Sequence, residues 1–205
     1  QKNFDITSPY IYQFGAELFK EDGTGTAIGS EDALDAFKFM TSIFTVYNMP
    51  LQVANFYNHF RDGDLPIGIA NYNHYIQLST AAPELAGWWK IAPHPGVQQE
   101  DGTIVRWAPG SGQAAMMFEN SEMKEEAWEF IKWWTSTETQ VAFGNTIEMI
   151  YGPEFRWNTS NLEAFTQLPW PQEDIEIVME QWKWLKDVAH IPGDYMLNRE
   201  LSFAW

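Results

Sequence analysis

The side chains best suited to recognising a ligand follow one another at Asn71, Tyr72, Asn73 and His74. They are aromatic and hydrogen-bonding groups that carry little charge. Aromatic side chains of this kind also stack on sugar rings, because the C–H faces of pyranoses are apolar and their edges are polar. A strand edge followed by a polar turn explains the same residues, and fold logic alone favours that simpler interpretation.

The sequence favours catalysis less than it favours ligand binding. The 28 Asp and Glu residues fall mostly in predicted turns and on predicted helix faces, where a solvated surface explains them. Glycoside hydrolysis needs two carboxylates at a set separation, and the four His residues lack a metal-ligand spacing. We therefore predict a binding protein that is not an enzyme and uses no cofactor or metal. The alternative is a fragment of a secreted carbohydrate-active enzyme, either a glycoside hydrolase or a lyase.

The amino-acid composition excludes some classes of binding partner. The 205 residues include 11 Trp, 8 Tyr and 14 Phe, and their net charge of −16 opposes binding to nucleic acid or to an anionic membrane. The absence of cysteine removes disulfides, thiolate-bound zinc and a catalytic thiol. No apolar run is long enough to span a bilayer, and the start at Gln1 has no signal-peptide pattern. We therefore expect a mature or truncated fragment.

The element expected to position the candidate residues is a short strand over residues 66–70. Its apolar run suits a strand buried on both faces, and Gly68 suggests that another segment approaches the backbone closely. In an open α/β sheet, ligands bind in the crevice beyond the carboxyl ends of the strands. Residues 71–74 would lie in that crevice, and a helix would follow over roughly residues 75–82, ending at Pro83.

Caps, turns and periodicity predict the other elements. Ser30 is a plausible N-cap for a helix that ends before Pro50, and Asp-Gly turns at Asp22 and Asp101 predict two similar hairpins. The apolar face of that helix comprises Ala33, Phe37, Met40, Phe44 and Tyr47. The remaining predicted elements are a strand at 113–118 and helices over 121–144, after Pro171 and after Pro192-Gly193.

Several motifs occur in an order that resembles one protein family. They are F-x-x-G-x-x-P-I-G-I from Phe60, then x-x-Y-x-x-Y, AAPELAGWW, PHPG, EEAWEFIKWWTSTETQ and the closing IPGDYMLNRELSFAW. The ordered set resembles the extracellular solute-binding proteins (family 1) of carbohydrate ABC transporters, over nearly the whole chain from Pro9 to Trp205. The N-terminal lobe, signal peptide and lipid-anchored cysteine of that family have no counterpart here, so the resemblance is to the C-terminal portion.

The resemblance implies an α/β fold, namely a periplasmic-binding-protein-like (type II) lobe with a small mixed sheet flanked by helices. Residues 1–106 and 170–205 would form the second lobe, and residues 107–169 would supply a hinge-crossing strand and helices that contact the missing N-terminal lobe. Two lobes of this kind close on a sugar by hinge motion and deliver it to the permease subunits of an ABC importer. The implied location is extracellular, lipid-anchored at the cell surface in the full-length protein, or periplasmic.

The resemblance also implies which side chains approach the sugar. Tyr195, Asn198 and Arg199 match family positions near the cleft, and Tyr10 and Trp107 are expected as aromatic platforms. Core packing explains the aromatic residues as simply, and a surface ion pair would account for Arg199. The complete predicted set of ligand-binding residues is Tyr10, Asn71, Tyr72, Asn73, Trp107, Ser111, Tyr195, Asn198 and Arg199.

One predicted helix carries aromatic side chains on more than one face. Two turns of this helix contain Trp128, Phe130, Trp133 and Trp134. A helix that is apolar around much of its circumference is normally buried on several sides. We therefore expect residues 121–144 to contact the missing lobe or, in this fragment, to support self-association. For the same reason, the fragment alone is expected to bind sugar weakly.

Overall fold

The computed structural model describes residues 4–50, 53, 55–110, 112–187 and 191–204. About half of these residues are helical, and a small two-stranded sheet makes the fold a mixed one, consistent with the α/β class that the sequence predicts. The helices are α1 Phe4–Gln13, α2 Glu31–Thr45, α3 Phe56–Arg61, α4 Tyr72–Ala81, α5 Lys124–Thr135, α6 Thr137–Tyr151, α7 Leu162–Phe165, α8 Gln172–Trp182 and α9 Asp194–Ala204. The strands are β1 Val97–Gln98 and β2 Ile104–Val105.

The contacts divide the chain into two compact units. The first unit comprises residues 1–53, 93–111 and 180–205, and the second comprises residues 54–92 and 112–179. The boundary between residues 179 and 180 falls within α8. Each unit therefore gathers segments that are far apart in the sequence.

The core of the first unit forms where α1 packs against α2 and α9. Ile11, Leu18, Ala36 and Leu201 are buried there together with neighbouring apolar side chains. The predicted cap of α2 is confirmed, because the Ser30 hydroxyl accepts a hydrogen bond from the backbone N–H of Ala33 at 3.2 Å. Ala33 and Met40 of the predicted stripe are buried, whereas Tyr47 is exposed because the helix ends at Thr45.

Both predicted hairpin turns are present in the first unit and use the same local chemistry. In each turn an Asp side chain accepts the backbone N–H two residues ahead, at 2.9 Å for Asp22 with Thr24 and at 2.8 Å for Asp101 with Thr103. The glycine that follows each Asp has positive φ, 67° at Gly23 and 86° at Gly102. The second turn joins β1 to β2, which pair antiparallel with Val97 opposite Val105.

A buried glutamine ties α1 to the hairpin segment. Gln13 is fully buried, and its Nε2 donates to the carbonyl oxygens of Trp107 at 2.8 Å and Pro95 at 3.2 Å. The same Nε2 lies 3.3 Å from Nδ1 of His94. The Gln13 carbonyl accepts a hydrogen bond from Nε2 of Gln99 at 3.0 Å. The polar groups of this interior are thereby satisfied, which a buried amide requires.

This network makes the stability of the first unit sensitive to acid. Burial lowers the pKa of His94, and the nearby charge of Arg106 lowers it further, although a hydrogen bond with the Pro95 carbonyl opposes the shift. The folded state therefore binds a proton less readily than the unfolded chain, so this contribution to stability is complete above the ordinary histidine pKa of about 6.5 and decreases as the pH falls below it.

We expect His94→Asn to lose less stability than the wild type between about pH 7 and about pH 5, as measured by urea unfolding. Parallel pH profiles for the two proteins would contradict this role.

The core of the second unit surrounds the segment between α7 and α8. Phe165, Leu168, Trp170 and Ile175 are buried there. The backbone of α6 approaches this core closely at Gly144, where an added Cβ would lie 2.5 Å from Cδ2 of Leu168. Glycine is therefore favoured at position 144 because a side chain would collide with Leu168, and not because of its φ angle.

A second buried glutamine joins α5, α6 and the loop that follows them. Gln140 donates from Nε2 to the Trp134 carbonyl at 2.7 Å. Its Oε1 accepts hydrogen bonds from Nε1 of Trp157 at 2.9 Å and from the Thr159 hydroxyl at 2.7 Å. The side chain is 5% exposed, so these three partners have little access to water if the amide is removed.

The two predicted strands in the second unit are wrong. Residues 66–70 and 113–118 are irregular and exposed, with Ile67 84% and Phe118 78% accessible. A strand needs a neighbouring chain to pair its N–H and C=O groups, and within the described residues neither run belongs to a sheet. The predicted close approach at Gly68 is confirmed, because a Cβ added there would lie 2.2 Å from Cε2 of Phe56.

The pairing of strands is also simpler than expected. Among the described residues, β1 and β2 form one antiparallel pair rather than a mixed sheet. Two isolated bridges add to it, antiparallel between Phe19 and Thr26 and parallel between Ala108 and Leu185. The helices predicted over 121–144, after Pro171 and after Pro192-Gly193 are confirmed as α5, α6, α8 and α9.

Candidate functional site

The predicted ligand residues of the second unit lie at the start of α4. Because residues 66–70 are not a strand, Asn71 occupies the N-cap position of a helix that begins three residues earlier than expected, at Tyr72. The Asn71 side chain caps no backbone N–H, and its Oδ1 instead lies 3.0 Å from Nδ1 of His74. Asn71 and Asn73 are both exposed, so their amides can reach a ligand in solution.

Tyr72 has a different environment from its two neighbours. It is half-buried, its ring centroid lies 5.3 Å from that of Trp170, and its hydroxyl donates to the backbone carbonyl of Arg156. Tyr75, one turn further along α4, stacks on Trp170 at 4.9 Å and donates from its hydroxyl to Oδ2 of Asp174 at 2.5 Å. Burial raises the pKa of both tyrosines, so both remain neutral donors at physiological pH.

An arginine completes this aromatic cluster. Arg156 makes a bidentate ion pair with Glu148, with Nη2 at 2.7 Å from Oε1 and Nε at 3.1 Å from Oε2. The guanidinium carbon lies 5.8 Å from the Trp170 ring centroid. The two charged side chains are only 15% and 13% exposed, so the pair is largely removed from water.

Two aromatic residues in and beside a turn that contacts α4 were not found from the sequence. Tyr151 and Phe155 are exposed, and their ring centroids are 5.2 Å apart. The 3-10 turn Pro153–Phe155 contacts α4, and Phe155 immediately precedes Arg156. The signal that was available is Gly152-Pro153, which ends α6 with a φ of 100° at the glycine. These rings provide an accessible apolar surface on and next to the turn that contacts α4.

In the first unit, the two predicted aromatic platforms are engaged in packing. Tyr10 and Trp107 are partly buried against the core of this unit, and burial raises the pKa of Tyr10. The Trp107 ring meets Trp184 edge-on at 5.1 Å. Each ring therefore has limited free surface for stacking on a sugar.

The predicted residues of the closing segment lie on α9, which begins directly after the Pro192-Gly193 turn. Tyr195 is exposed, and Arg199 pairs with its neighbour Glu200, with Nη2 2.7 Å from Oε1. Asn198 Oδ1 is buried and has no hydrogen-bond partner among the residues that the structure describes. Ser111 lies outside the described residues.

Because the Asn198 amide oxygen is buried without a partner among the described residues, we expect Asn198→Leu to stabilise the protein. A buried acceptor without a partner costs about 1–3 kcal/mol, and leucine also has the higher helix propensity. We expect the free energy of unfolding, measured in urea, to rise by about 1 kcal/mol in the variant. Tyr195→Leu, at an exposed position of the same helix, is the control and should change stability by less than about 0.5 kcal/mol. A destabilised Asn198→Leu would mean that the amide has a partner in solution.

A separate cavity of about 260 Å³ opens in the first unit. Its walls include Tyr12, Phe19 and Lys186, and none of the predicted ligand residues lines it. The Lys186 ammonium lies 4.3 Å from the Tyr12 ring centroid and pairs with Glu17. Burial, aided by Glu17 and Asp187, raises the pKa of Tyr12 to about 12. Lys186 and Glu17 of this cavity are thus already paired, and the cavity volume is below the roughly 300 Å³ at which ligand pockets begin.

Metal-binding clusters and membrane-spanning helices are both absent from the described residues. No group of three or more His, Cys, Asp or Glu side chains is placed there to hold a metal ion. Within the same residues, no helix is long and apolar enough to cross a membrane.

Comparison with known proteins defines the class of this protein. A sequence profile of bacterial extracellular solute-binding proteins matches residues 1–141, which is more than half of the chain. The chain therefore belongs to the family of bacterial extracellular solute-binding proteins. Proteins of this family bind solutes outside the cell for transport and are generally not enzymes. Neither the curated proteins nor the solved structures gave a significant match.

Proposed function

We propose that this protein is the sugar-binding component of an ABC importer. It captures an oligosaccharide in a cleft between two lobes and delivers it to the permease subunits in the membrane. Membership of a solute-binding family supports binding and delivery. The observation that carries the sugar assignment is the pair of exposed amides, Asn71 and Asn73, at the start of α4, a helix that is contacted by the turn carrying the exposed Phe155. Sugars are recognised by this combination of hydrogen bonds to hydroxyl groups and stacking on aromatic faces.

The two asparagines have the central role in this site. Each amide donates and accepts hydrogen bonds and therefore matches the edges of a pyranose. Tyr72, which is half-buried against Trp170, borders the site. A ligand-binding role is also proposed for Tyr10, Trp107, Ser111, Tyr195, Asn198 and Arg199.

The domain assignment that accompanies this function is a type II periplasmic-binding-protein lobe. In it, residues 1–106 and 170–205 form the C-terminal lobe, and residues 107–169 meet an N-terminal lobe. Exposed Trp128, Phe130 and Trp133 on α5 support a further contact surface in this region, since soluble monomers rarely leave large apolar patches exposed. Self-association through α5 is the other way to cover these rings. The proposed location is the cell surface, through a lipid anchor, or the periplasm.

Asn73→Ala tests the sugar assignment directly. Titration calorimetry with maltotriose, xylotriose and mannotriose is expected to give binding of at least one of them by the wild type. Loss of the Asn73 amide should weaken that binding by about 1–2 kcal/mol, the contribution of one or two hydrogen bonds. The measured quantity is the dissociation constant.

Asn145→Ala is the matched control, because Asn145 is also an exposed asparagine in a helix of the second unit. Its dissociation constant should equal that of the wild type. Equal losses in both variants, or none in Asn73→Ala, would argue against the site at α4. Release of new reducing ends from any of the three sugars would identify an enzyme instead.

A further inference from the structure

The first turn of α4 is not held in place by an N-cap. Asn71 occupies the cap position, but its side chain accepts no backbone N–H of the helix. Capping bonds normally fix where a helix begins and how its first side chains are directed. Other contacts must therefore determine where Asn71 and Asn73 lie.

Two tyrosine side chains supply those contacts. The Tyr72 hydroxyl donates to the backbone carbonyl of Arg156, and the Tyr75 hydroxyl donates to Asp174. Their rings lie 5.3 and 4.9 Å from Trp170, which is itself buried. The start of α4 is thus attached to the chain at residues 156, 170 and 174, which lie in or next to the core of the second unit.

Of these three anchoring residues, residue 156 depends most on its own side chain to hold its position. It follows a 3-10 turn and belongs to no helix or strand, and its backbone N–H donates to the Pro153 carbonyl at 3.1 Å. Its guanidinium is held by two-pronged contact with Glu148 on α6 and lies near the Trp170 ring. A bidentate pair that is largely removed from water has a fixed geometry, unlike a flexible surface pair.

We propose that the Arg156–Glu148 ion pair is a positioning element for ligand recognition. The ion pair fixes the position of the residue 156 carbonyl, and this carbonyl fixes the position of the Tyr72 hydroxyl. Tyr72 in turn fixes the position of the first turn of α4, which presents Asn71 and Asn73. Neither charged side chain needs to touch the ligand. The inference rests on the proposed function for its link to sugar binding, whereas the positioning of α4 stands on the contacts alone.

The second unit contains a matched ion pair for comparison. Arg61 pairs with Glu84, and Glu84 lies just beyond the opposite end of α4, but the two side chains are 47% and 46% exposed. Both pairs are Arg–Glu, so Glu148→Gln and Glu84→Gln make the same chemical change at the two ends of one helix. Only the first is expected to alter the turn that carries the asparagines.

The experiment measures amide hydrogen exchange and sugar binding in the same variants. Glu148→Gln should speed exchange of the amides of residues 72–75, while Glu84→Gln leaves them unchanged. It should also weaken binding of the trisaccharide that the wild type prefers by about tenfold and change the ratio of affinities among maltotriose, xylotriose and mannotriose. Tyr72→Phe keeps the ring on Trp170 and removes only the hydroxyl, so it should reproduce both effects even if Glu148→Gln fails to fold.

The outcomes separate this inference from the proposed function. Unchanged exchange at residues 72–75 in Glu148→Gln and Tyr72→Phe would overturn the positioning role. Faster exchange with unchanged affinity and selectivity would overturn its link to recognition. If the wild type binds none of the three sugars, the sugar assignment fails, and the exchange comparison alone then decides whether the ion pair positions α4.

Discussion

Phe165→Ala is expected to lower the free energy of unfolding of the second unit by about 3–5 kcal/mol, the usual cost of removing a buried phenylalanine ring. Phe165 is 0% exposed, and its ring meets Trp170 at 5.1 Å. Its loss would leave a cavity beside the side chain on which Tyr72 and Tyr75 pack. Urea unfolding followed by tryptophan fluorescence measures the effect.

Phe118→Ala is the matched control for this substitution, since Phe118 is in the same unit and is 78% exposed. Its removal should change stability by less than about 0.5 kcal/mol. Similar losses in the two variants would mean that the second unit does not have its core at Phe165.

Gln140→Leu is expected to destabilise the second unit by about 3 kcal/mol, although leucine is close in size and more apolar. The substitution leaves the Trp134 carbonyl, the Trp157 indole N–H and the Thr159 hydroxyl without their partner. Each unsatisfied buried polar group costs about 1–3 kcal/mol. Thermal and urea unfolding both report this change.

Two further variants define the origin of that loss. Gln77→Leu, on the exposed side of α4, should be nearly neutral. Gln140→Glu places a carboxylate at this buried position and beside the Trp134 carbonyl, so at neutral pH it should lose at least as much stability as Gln140→Leu and should recover part of the loss at acid pH, where the protonated group can donate. A neutral Gln140→Leu would show that the three partners find water or one another.

The sequence predicted helices and turns well, because their signals are local. Ser30 and the apolar stripe of α2 lie within one helix, and each Asp-Gly turn forms its hydrogen bond within three residues. The strands at 66–70 and 113–118 were predicted wrongly for the opposite reason. An apolar run identifies strand propensity, but the strand exists only where another segment pairs with it.

The candidate site was predicted in the same uneven way. The stretch at Asn71 to Asn73 was selected because its residue types are suited to a ligand, but its element was misassigned from strand end to helix start. The Arg156–Glu148 pair was missed because no motif or helical spacing links position 148 to 156 through a turn. The packing of Tyr72 is likewise set by Trp170, which lies far along the chain.

The interleaving of the two units has a consequence for biosynthesis. Ile11 and Leu18 share a core with Leu201, so the first unit cannot be completed until the last residues of this stretch have been made. The second unit ends at residue 179 and can close earlier. At the roughly 5–20 residues per second of translation, the part of α1 that α9 covers would stay exposed for many seconds, although α2 can cover the rest of its apolar face earlier. Closing so long a loop is also slow, so we expect α1 and α9 to join late in folding and this segment to need protection from aggregation until then.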